Sequence, residues 1–417
     1  MDSDVIIVGA GLAGLSCARR LTEAGIPFII LEGDRRIGGR IKTDQVEGFL
    51  LDHGFQVLQT AYPEARRTLD YKRLALKSFA SGAIVRTKEK FYTIADPRRH
   101  PQKLWSTATA PIGTVGDRLR MIKLASKLRR VKVADLFKSP DKTTIDFLRD
   151  EGFSEKIIER FFRPFFTGIS LDPEIEVSSR VFQYIFRIFA EGDVALPAQG
   201  MGAIPAQLAE TLRNSSIRTE ARVAQIHQGQ ARLTSGETVQ GRAVVLATEG
   251  PETARLLGSG RKVSSCGELC LYYAADVPPV VQPYLILSGD GKGWINSLTI
   301  PSQVAPSYAP PGQSLISVVV VGHLYSDGDT VEAAVRGQLS AWFGARVRDW
   351  RHLKTYRITH ALPAQPPPMP DPTRAVTSPQ PGIFVCGEYG SVPGIQWALL
   401  SGRLAAEAVI KRLGMEG

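Results

Sequence analysis

The chain has 417 residues, 43% of them hydrophobic and 22% charged, which is the balance of an ordinary globular protein with length for two or three domains. No apolar run reaches the eighteen or so residues needed to cross a bilayer. Four cysteines without CxxC spacing and six scattered histidines suggest neither a disulfide framework nor a metal site. The net charge of +10 is local, because ten Lys or Arg lie between Arg98 and Ala134 against one acid, Asp117, and the remainder is nearly neutral.

The chain enters its first strand at once, in Asp4-Val5-Ile6-Ile7-Val8. That leaves no room for a signal peptide and, with the cysteine usage, predicts a reducing, cytoplasmic setting. Gly9-Ala10-Gly11-Leu12-Ala13-Gly14 follows, then an amphipathic stretch to Gly25, then a second apolar run, Phe28-Ile29-Ile30-Leu31, ending at Glu32. Strand, glycine turn, helix, strand and acid make a dinucleotide-binding βαβ unit. Gly9 permits the tight turn. Gly11 lets backbone approach a pyrophosphate at the helix N-terminus. Gly14 lets helix and strand pack closely, and Glu32 stands where a carboxylate accepts from a ribose hydroxyl.

A second glycine pair, Gly38-Gly39 with Arg40, comes six residues after Glu32. Here the chain resembles the FAD-containing superfamily of amine oxidases, phytoene desaturases and protoporphyrinogen oxidases. The resemblance implies FAD as cofactor, with Gly38, Gly39 and Arg40 along its pyrophosphate and ribityl chain. It also gives meaning to Leu51-Asp52-His53-Gly54-Phe55, a stretch beside the flavin in such proteins, where His53 is either near the isoalloxazine ring or a buried hydrogen-bonded histidine.

Residues about 76–199 read as a different region, basic, helical and aromatic, as in Phe161-Phe162-Arg163-Pro164-Phe165-Phe166. Leu196 to Gly202 then resembles the point at which the family's chain re-enters the FAD domain. Residues 217–248 alternate as hairpin strands with turns at Gln228-Gly229 and Ser235-Gly236. They end in Val244-Val245-Leu246-Ala247-Thr248, a buried parallel strand by composition. The resemblance makes Ala247 and Thr248 packing residues beside the dinucleotide. Five strands are expected over Leu269–Ala274, Tyr284–Leu287, Ile295–Ile300, Leu315–Val321 and Lys354–Ile358, one helix over Val331–Phe343, and a linker over Pro363–Pro372.

Near the C-terminus, Ile383-Phe384-Val385-Cys386 is a strand, Gly387-Glu388 ends it, and Gly394-Ile395-Gln396-Trp397 opens a last helix to about Arg412. A reduced flavin carries negative charge near N1, and a helix N-terminus offers unpaired N–H groups and about half a positive charge. Backbone at Gly394 and Ile395 is therefore a candidate flavin contact, while Glu388 resembles the family acid by the pyrophosphate. The fold class expected is α/β: a Rossmann-like FAD-binding domain from residues 1–75, 200–262 and 375–417, with an inserted α+β substrate-binding domain from 76–199 and 263–374.

The cofactor carries the difficult chemistry in such proteins, so few catalytic side chains are needed. Lys292, the sole lysine between 263 and 353, is a candidate for the lysine that bridges to flavin N5 in amine oxidases of the family. Tyr389 stands near the place of an aromatic cage member, with Trp397 after it, but no clear second cage member appears, which counts against a simple amine oxidase. Read as a helix, Arg118 to Lys132 places Arg120, Lys123, Lys127 and Arg130 on one face and Met121, Leu124, Ala125, Leu128 and Val131 on the other. Such a basic amphipathic helix suits an anionic membrane surface, to which segment 98–134 would bind peripherally, or else is an ordinary helix packed by its apolar face. Nothing else points to nucleic acid.

These features predict an FAD-dependent oxidoreductase that removes hydride from an apolar, isoprenoid or carotenoid-like small molecule taken from a membrane surface. The alternatives are a soluble amine oxidase and a flavin carrier without turnover. Substrate identity, electron acceptor and oligomeric state stay open.

Overall fold

The computed structural model describes residues 4–95, 99, 100, 103, 107, 109–212, 217–260, 262–374, 379–389 and 392–414. The chain opens with β1 (Val5–Val8), α1 (Leu12–Glu23) and β2 (Phe28–Leu31). Every residue of β1 is buried, as suits a strand covered on both faces. The middle of the chain supplies β3 (Gly82–Thr87) and the helices α2 (Val115–Arg130), α3 (Arg163–Ser170) and α4 (Ser179–Glu191). Then come β4 (Ala243–Leu246), β5 (Ser265–Ala275), β6 (Ser314–Val321), α5 (Gly328–Phe343) and β7 (Arg351–Pro363). The last elements are β8 (Ile383–Val385) and α6 (Ile395–Arg412).

Five parallel strands form one sheet in the order Ile217–Arg218, β2, β1, β4, β8. Three distant stretches of chain thus meet side by side, with Val5 next to Phe28 on one side and Ala243 on the other. On one face α1 and α6 cross closely, because Gly402 has no side chain to collide with the Ala13 carbonyl. Leu15, Leu21, Leu399 and Val409 fill that layer. On the other face, Ile6, Val8, Val244 and Leu246 meet the hairpin strands that follow Val223.

A mixed seven-stranded sheet has the order β7, β5, β6, Ile295–Thr299, Leu285–Ser288, β3, Lys90–Ala95. All its pairings are antiparallel except that of Leu285–Ser288 with β3. Along β5, Leu269, Leu271 and Tyr273 pack with Val331, Val335 and Leu339 of α5, while Cys270, Tyr272 and Ala274 join the core under the parallel sheet. Both faces are covered, so β5 reads as one apolar run rather than an alternation. A third core lies among the helices, where Phe166 and Phe182 rings meet at 4.5 Å between α3 and α4.

The expected strands are present with shifted ends. The largest shift is in β7, which runs from Arg351 to Pro363 instead of Lys354 to Ile358. It lies at the edge of the sheet, so its exposed polar residues carry little apolar signal. The helix expected over 118–132 begins earlier, at a capping box in which Thr114 and Asp117 bond each other's backbone amides, and ends at Arg130. Its apolar residues are also not confined to the buried side: Leu124 and Leu128 are buried, but Val115, Leu119 and Ile122 stand exposed. Arg98, the first residue of the basic segment, lies outside the described residues. Among those described, no helix is long and apolar enough to cross a membrane, and no group of three or more His, Cys, Asp or Glu is arranged to hold a metal ion.

Candidate functional site

A cavity of about 910 Å³ opens at the C-terminal ends of β1, β2, β4 and β8 and reaches the seven-stranded sheet and the helices α3 and α4. Open α/β sheets bind ligands at this end, where the loops leave the strands. Gly9, Gly11, Glu32, Gly38, Gly39, Arg40, Ala247, Thr248, Gly387, Glu388, Gly394 and Ile395 all line it.

The glycines at its mouth serve different ends. Gly9 holds φ +103°, and a Cβ there would lie 2.9 Å from the Ala247 carbonyl oxygen. A Cβ on Gly14 would collide with the Gly9 carbonyl, so Gly14 sets the helix against the strand without touching the cavity. Gly11 is open: the nearest atom to its Cβ position is the Gly39 Cα at 4.0 Å. That bare backbone, at the N-cap of α1, is free for a phosphate. Glu32 fixes the loop above it, accepting from the Ala10 amide at 2.7 Å and the Asp34 amide at 2.9 Å. A carboxylate offers about four acceptor sites, so two remain for hydroxyl groups.

Deeper in, the Arg40 guanidinium pairs with the Glu388 carboxylate and donates to the Ala361 carbonyl at 2.5 Å. Glu388 also accepts from the Gly250 amide at 3.0 Å. Gly394, at φ +120°, precedes α6 and aims its first amides at the cavity mouth. Gln56 donates its amide N–H groups to the Arg40 and His53 carbonyls, leaving its Oε1 buried without a partner among the described residues. A ligand that offers an N–H or O–H there would relieve that cost.

The far end is apolar. Phe166, Ile169, Val181, Phe182 and Ile185 come from α3 and α4, and Trp397 from α6. The Tyr184 ring lies 4.8 Å from that of Trp397 and parallel to Tyr62, 2° between planes, at 6.5 Å.

The sequence matches the model of the family described as flavin containing amine oxidoreductase over residues 12–410. The chain belongs to that family. Members are FAD-dependent oxidoreductases, and the cofactor is FAD. Among curated relatives, protoporphyrinogen oxidase 2 of Arabidopsis thaliana is 25% identical over 173 residues, 41% of this chain and 33% of that protein. Putrescine oxidase of Kocuria rosea is 35% identical over 100 residues, 24% of this chain and 20% of the relative. The matched part is thus a third or less of either relative's length. Cyclohexylamine oxidase from Brevibacterium oxydans shares the fold, with a TM-score of 0.69 at 18% identity over 99% of this chain and all of the other.

The cavity suits the cofactor that this flavin-containing family carries. Bare backbone at Gly11, the spare acceptor sites of Glu32, the unpartnered Gln56 oxygen and the N-terminus of α6 are complementary in turn to phosphate, ribose hydroxyls, a ring N–H and a negatively charged ring edge. When bound, flavin would supply a two-electron acceptor, and these groups of the chain would hold and orient it.

Three expectations for catalytic residues fare differently in this family member. His53 lines the cavity, with its ring bonded to Asp44 at 3.0 Å and packed on Tyr356 at 4.7 Å. Burial works against the Asp44 carboxylate, yet bonds from Lys354, Tyr356, His53 and Arg36 hold it well below the usual range. Lys292 is corrected: it is exposed in the turn between Leu285–Ser288 and Ile295–Thr299, where glycine flexibility and solvation win, and it does not line the cavity. Tyr389 is corrected too. Its side chain packs against the core on the other face of the parallel sheet, that of the hairpin strands, and its hydroxyl lies 3.2 Å from Ser259.

Sequence reasoning missed the tyrosine pair Tyr62 and Tyr184 and the carboxylate Glu268, all on the cavity wall. The tyrosines come from elements with no shared motif. Glu268 had a signal, a lone acid in the apolar run Cys266-Gly267-Glu268-Leu269-Cys270-Leu271. Glu268 is buried, and burial raises its pKa to about 7 against one opposing bond from the Phe55 amide.

Proposed function

We propose that this FAD-dependent enzyme removes hydride from a C–H bond of an apolar small molecule of isoprenoid or carotenoid type. The observation that carries the reading is the apolar end of the cavity, where Phe166, Ile169, Val181, Phe182, Ile185 and Trp397 surround the space beyond the flavin-binding loops. Burial of hydrocarbon against such a wall contributes about 25 cal/mol per Å², and these six side chains carry no charge. Gly11, Gly38 and Gly39 would carry the pyrophosphate, Glu32 the ribose, and the amides at Gly394 and Ile395 the ring edge. The cofactor half would be residues 1–75, 200–262 and 375–417, and the substrate half 76–199 and 263–374.

The same molecule would be drawn from an anionic membrane surface. On α2, Val115, Leu119 and Ile122 are 70%, 63% and 65% exposed and follow one helical face, beside the exposed Arg120, Lys123, Lys127 and Arg130. Exposed apolar side chains among basic ones are the pairing that inserts at a headgroup boundary.

An amine substrate is the second reading. The parallel Tyr62 and Tyr184 rings favour it, as does the likeness to a putrescine oxidase. Anaerobic bleaching of the bound flavin separates the two. Bleaching by a polyisoprenoid lipid extract, with none by putrescine or cyclohexylamine, is the expected result; bleaching by the amines alone sinks the apolar reading.

A further inference from the structure

Glu268 is the acid that the rest of the site leaves unexplained. It sits on β5 among apolar neighbours, 6% exposed, and lines the cavity. Of the other charged groups of the cavity, Arg40 pairs with Glu388, Lys42 with Asp34 and Arg222 with Glu252, Glu32 accepts from the Ala10 and Asp34 amides, and Glu249 is exposed to solvent. No cation pairs with Glu268 among the described residues.

The fold delivers this side chain on purpose. Between β5 and β7 the register slips, so that Cys266 faces Leu362 and Glu268 faces Ile358, with residues 359–361 standing opposite Gly267 alone. A bulge re-aims side chains and bends its strand. Here it brings the Ala361 carbonyl to Arg40 and presents the Glu268 carboxyl to the cavity. From the opposite side Gly54, at φ +89°, comes so close that a methyl group there would run into the Glu268 carboxyl oxygen. An acid kept dry, unpaired and exposed to a ligand cavity costs stability without any structural return.

We propose that Glu268 is the proton acceptor of the site. The inference rests on the apolar-substrate reading above. In a desaturation the substrate loses two hydrogens and two electrons. One hydrogen would leave as hydride with its electron pair, for which flavin, when bound, would be the acceptor. The other leaves the neighbouring carbon as a proton and bonds to the Glu268 carboxylate, and the electron pair of that C–H bond becomes the new C=C π bond. Carboxylate becomes carboxylic acid, and the apolar surroundings stabilise that neutral form. Release of the proton to solvent resets the site.

The titratable groups around Glu268 do not compete for this role. Cys270 and Tyr272 share its strand, and both are buried with raised pKa values, first of all by desolvation. Asp52 is bonded by Thr43, Tyr308 and the Met201 amide. His53 and Tyr356 are both bonded to Asp44.

The test uses the FAD-loaded protein and the variant Glu268→Gln, which keeps shape and removes the charge. The first readout needs no substrate. Reduced flavin beside a carboxyl raises its proton affinity, and the coupling is reciprocal. The wild-type flavin reduction potential is therefore expected to bend with pH around neutrality, and the bend is expected to vanish in Glu268→Gln. Superimposable potential curves overturn the proposal. The second readout is anaerobic bleaching by a polyisoprenoid lipid extract, expected to slow at least a hundredfold in Glu268→Gln at unchanged flavin content, with Glu268→Asp partly restoring it. Wild-type bleaching and an unchanged pH profile in Glu268→Gln also overturn it. If the extract never bleaches the wild type, the apolar-substrate reading fails, while the potential curves still decide whether protonation of Glu268 is coupled to reduction of the flavin. Should Glu268→Gln not fold, infrared titration of the wild type serves instead. Two protonated carboxyl bands, one lost near pH 6 with Asp52 and a second lost as pH rises through neutrality, support the proposal, and absence of the second rejects it.

Discussion

Arg40 and Glu388, from opposite ends of the chain, form an ion pair in the cavity, and Glu388 is its buried member, with 5% of its side chain exposed against 37% for Arg40. The pair ties the loop after β2 to the loop after β8, and the Gly250 amide anchors its acidic end. Removing the cation strands a buried carboxylate. Arg40→Met is expected to destabilise the protein by about 2 kcal/mol, less than the full cost of breaking a buried pair because the guanidinium is partly solvated. Flavin content should fall in the same variant. Thermal unfolding with absorbance of the bound cofactor checks both, and an unaltered melting temperature would contradict the account.

Gly9 and Gly11 differ in what a methyl group would meet. Gly9→Ala is strained at φ +103° and pressed against the Ala247 carbonyl, so apoprotein stability should drop by 1–3 kcal/mol, an order-of-magnitude figure for backbone strain. Gly11→Ala meets only the Gly39 Cα at 4.0 Å, and the apoprotein should melt as the wild type does. Its methyl group occupies the phosphate's approach, so FAD affinity should fall at least tenfold, read by titration of flavin fluorescence.

Two buried carboxyls give stability a slope with pH. Burial raises Asp52 to about 6, with bonds from Thr43, Met201 and Tyr308 opposing, and raises Glu268 to about 7. Both folded values lie above the ordinary carboxyl range, so the folded protein binds more protons than the unfolded chain. Stability is full below pH 4 as far as these groups go, and is lost as pH rises to 6 for Asp52 and to 7 for Glu268. Each contributes about 3 kcal/mol across its window. Denaturant unfolding between pH 4 and 8 should show the decline, and Glu268→Gln should remove its upper part. Asp44 acts oppositely, losing its contribution only in more acidic solution.

The nucleotide loops were readable in the sequence because each rests on a local requirement. Gly9 needs positive φ, Gly14 close packing, Glu32 a strand end, and each is set by its own few neighbours. The expected strands of the seven-stranded sheet followed likewise from apolar runs such as Leu315–Val321. The apolar end of the cavity was not readable in the same way. Tyr62, Tyr184 and Trp397 converge from three separate regions, and Glu268 depends on a register slip against β7 that no local pattern announces. Lys292 drew attention as the sole lysine between 263 and 353 and Tyr389 by its place after Gly387-Glu388, and neither lines the cavity.

The exposed face of α2 predicts a salt-dependent surface affinity. Wild-type protein should sediment with vesicles containing phosphatidylserine and stay free of neutral ones, and 0.5 M salt, with a screening length of about 4 Å, should weaken it. Leu119→Glu with Ile122→Glu should reduce binding at least tenfold without altering flavin content. Equal sedimentation of wild type and variant would reject the surface role.

Tyr184 offers a finer discrimination. Its hydroxyl is buried without a partner among the described residues, so Tyr184→Phe should leave stability within about 0.5 kcal/mol or raise it. Apolar substrates should be oxidised as before, whereas an amine that used the hydroxyl would lose kcat/KM by tenfold or more. Steady-state rates with both classes decide between them.

FAD binding in the cavity at the ends of β1, β2, β4 and β8 underlies these expectations. The direct measurement is the absorption spectrum of the purified chain after incubation with FAD and removal of excess. Stoichiometric flavin retained by the wild type and lost from Gly11→Ala, at equal folded content by circular dichroism, is the predicted result. A folded wild-type protein that keeps no flavin, or a Gly11→Ala protein that keeps as much, would contradict it.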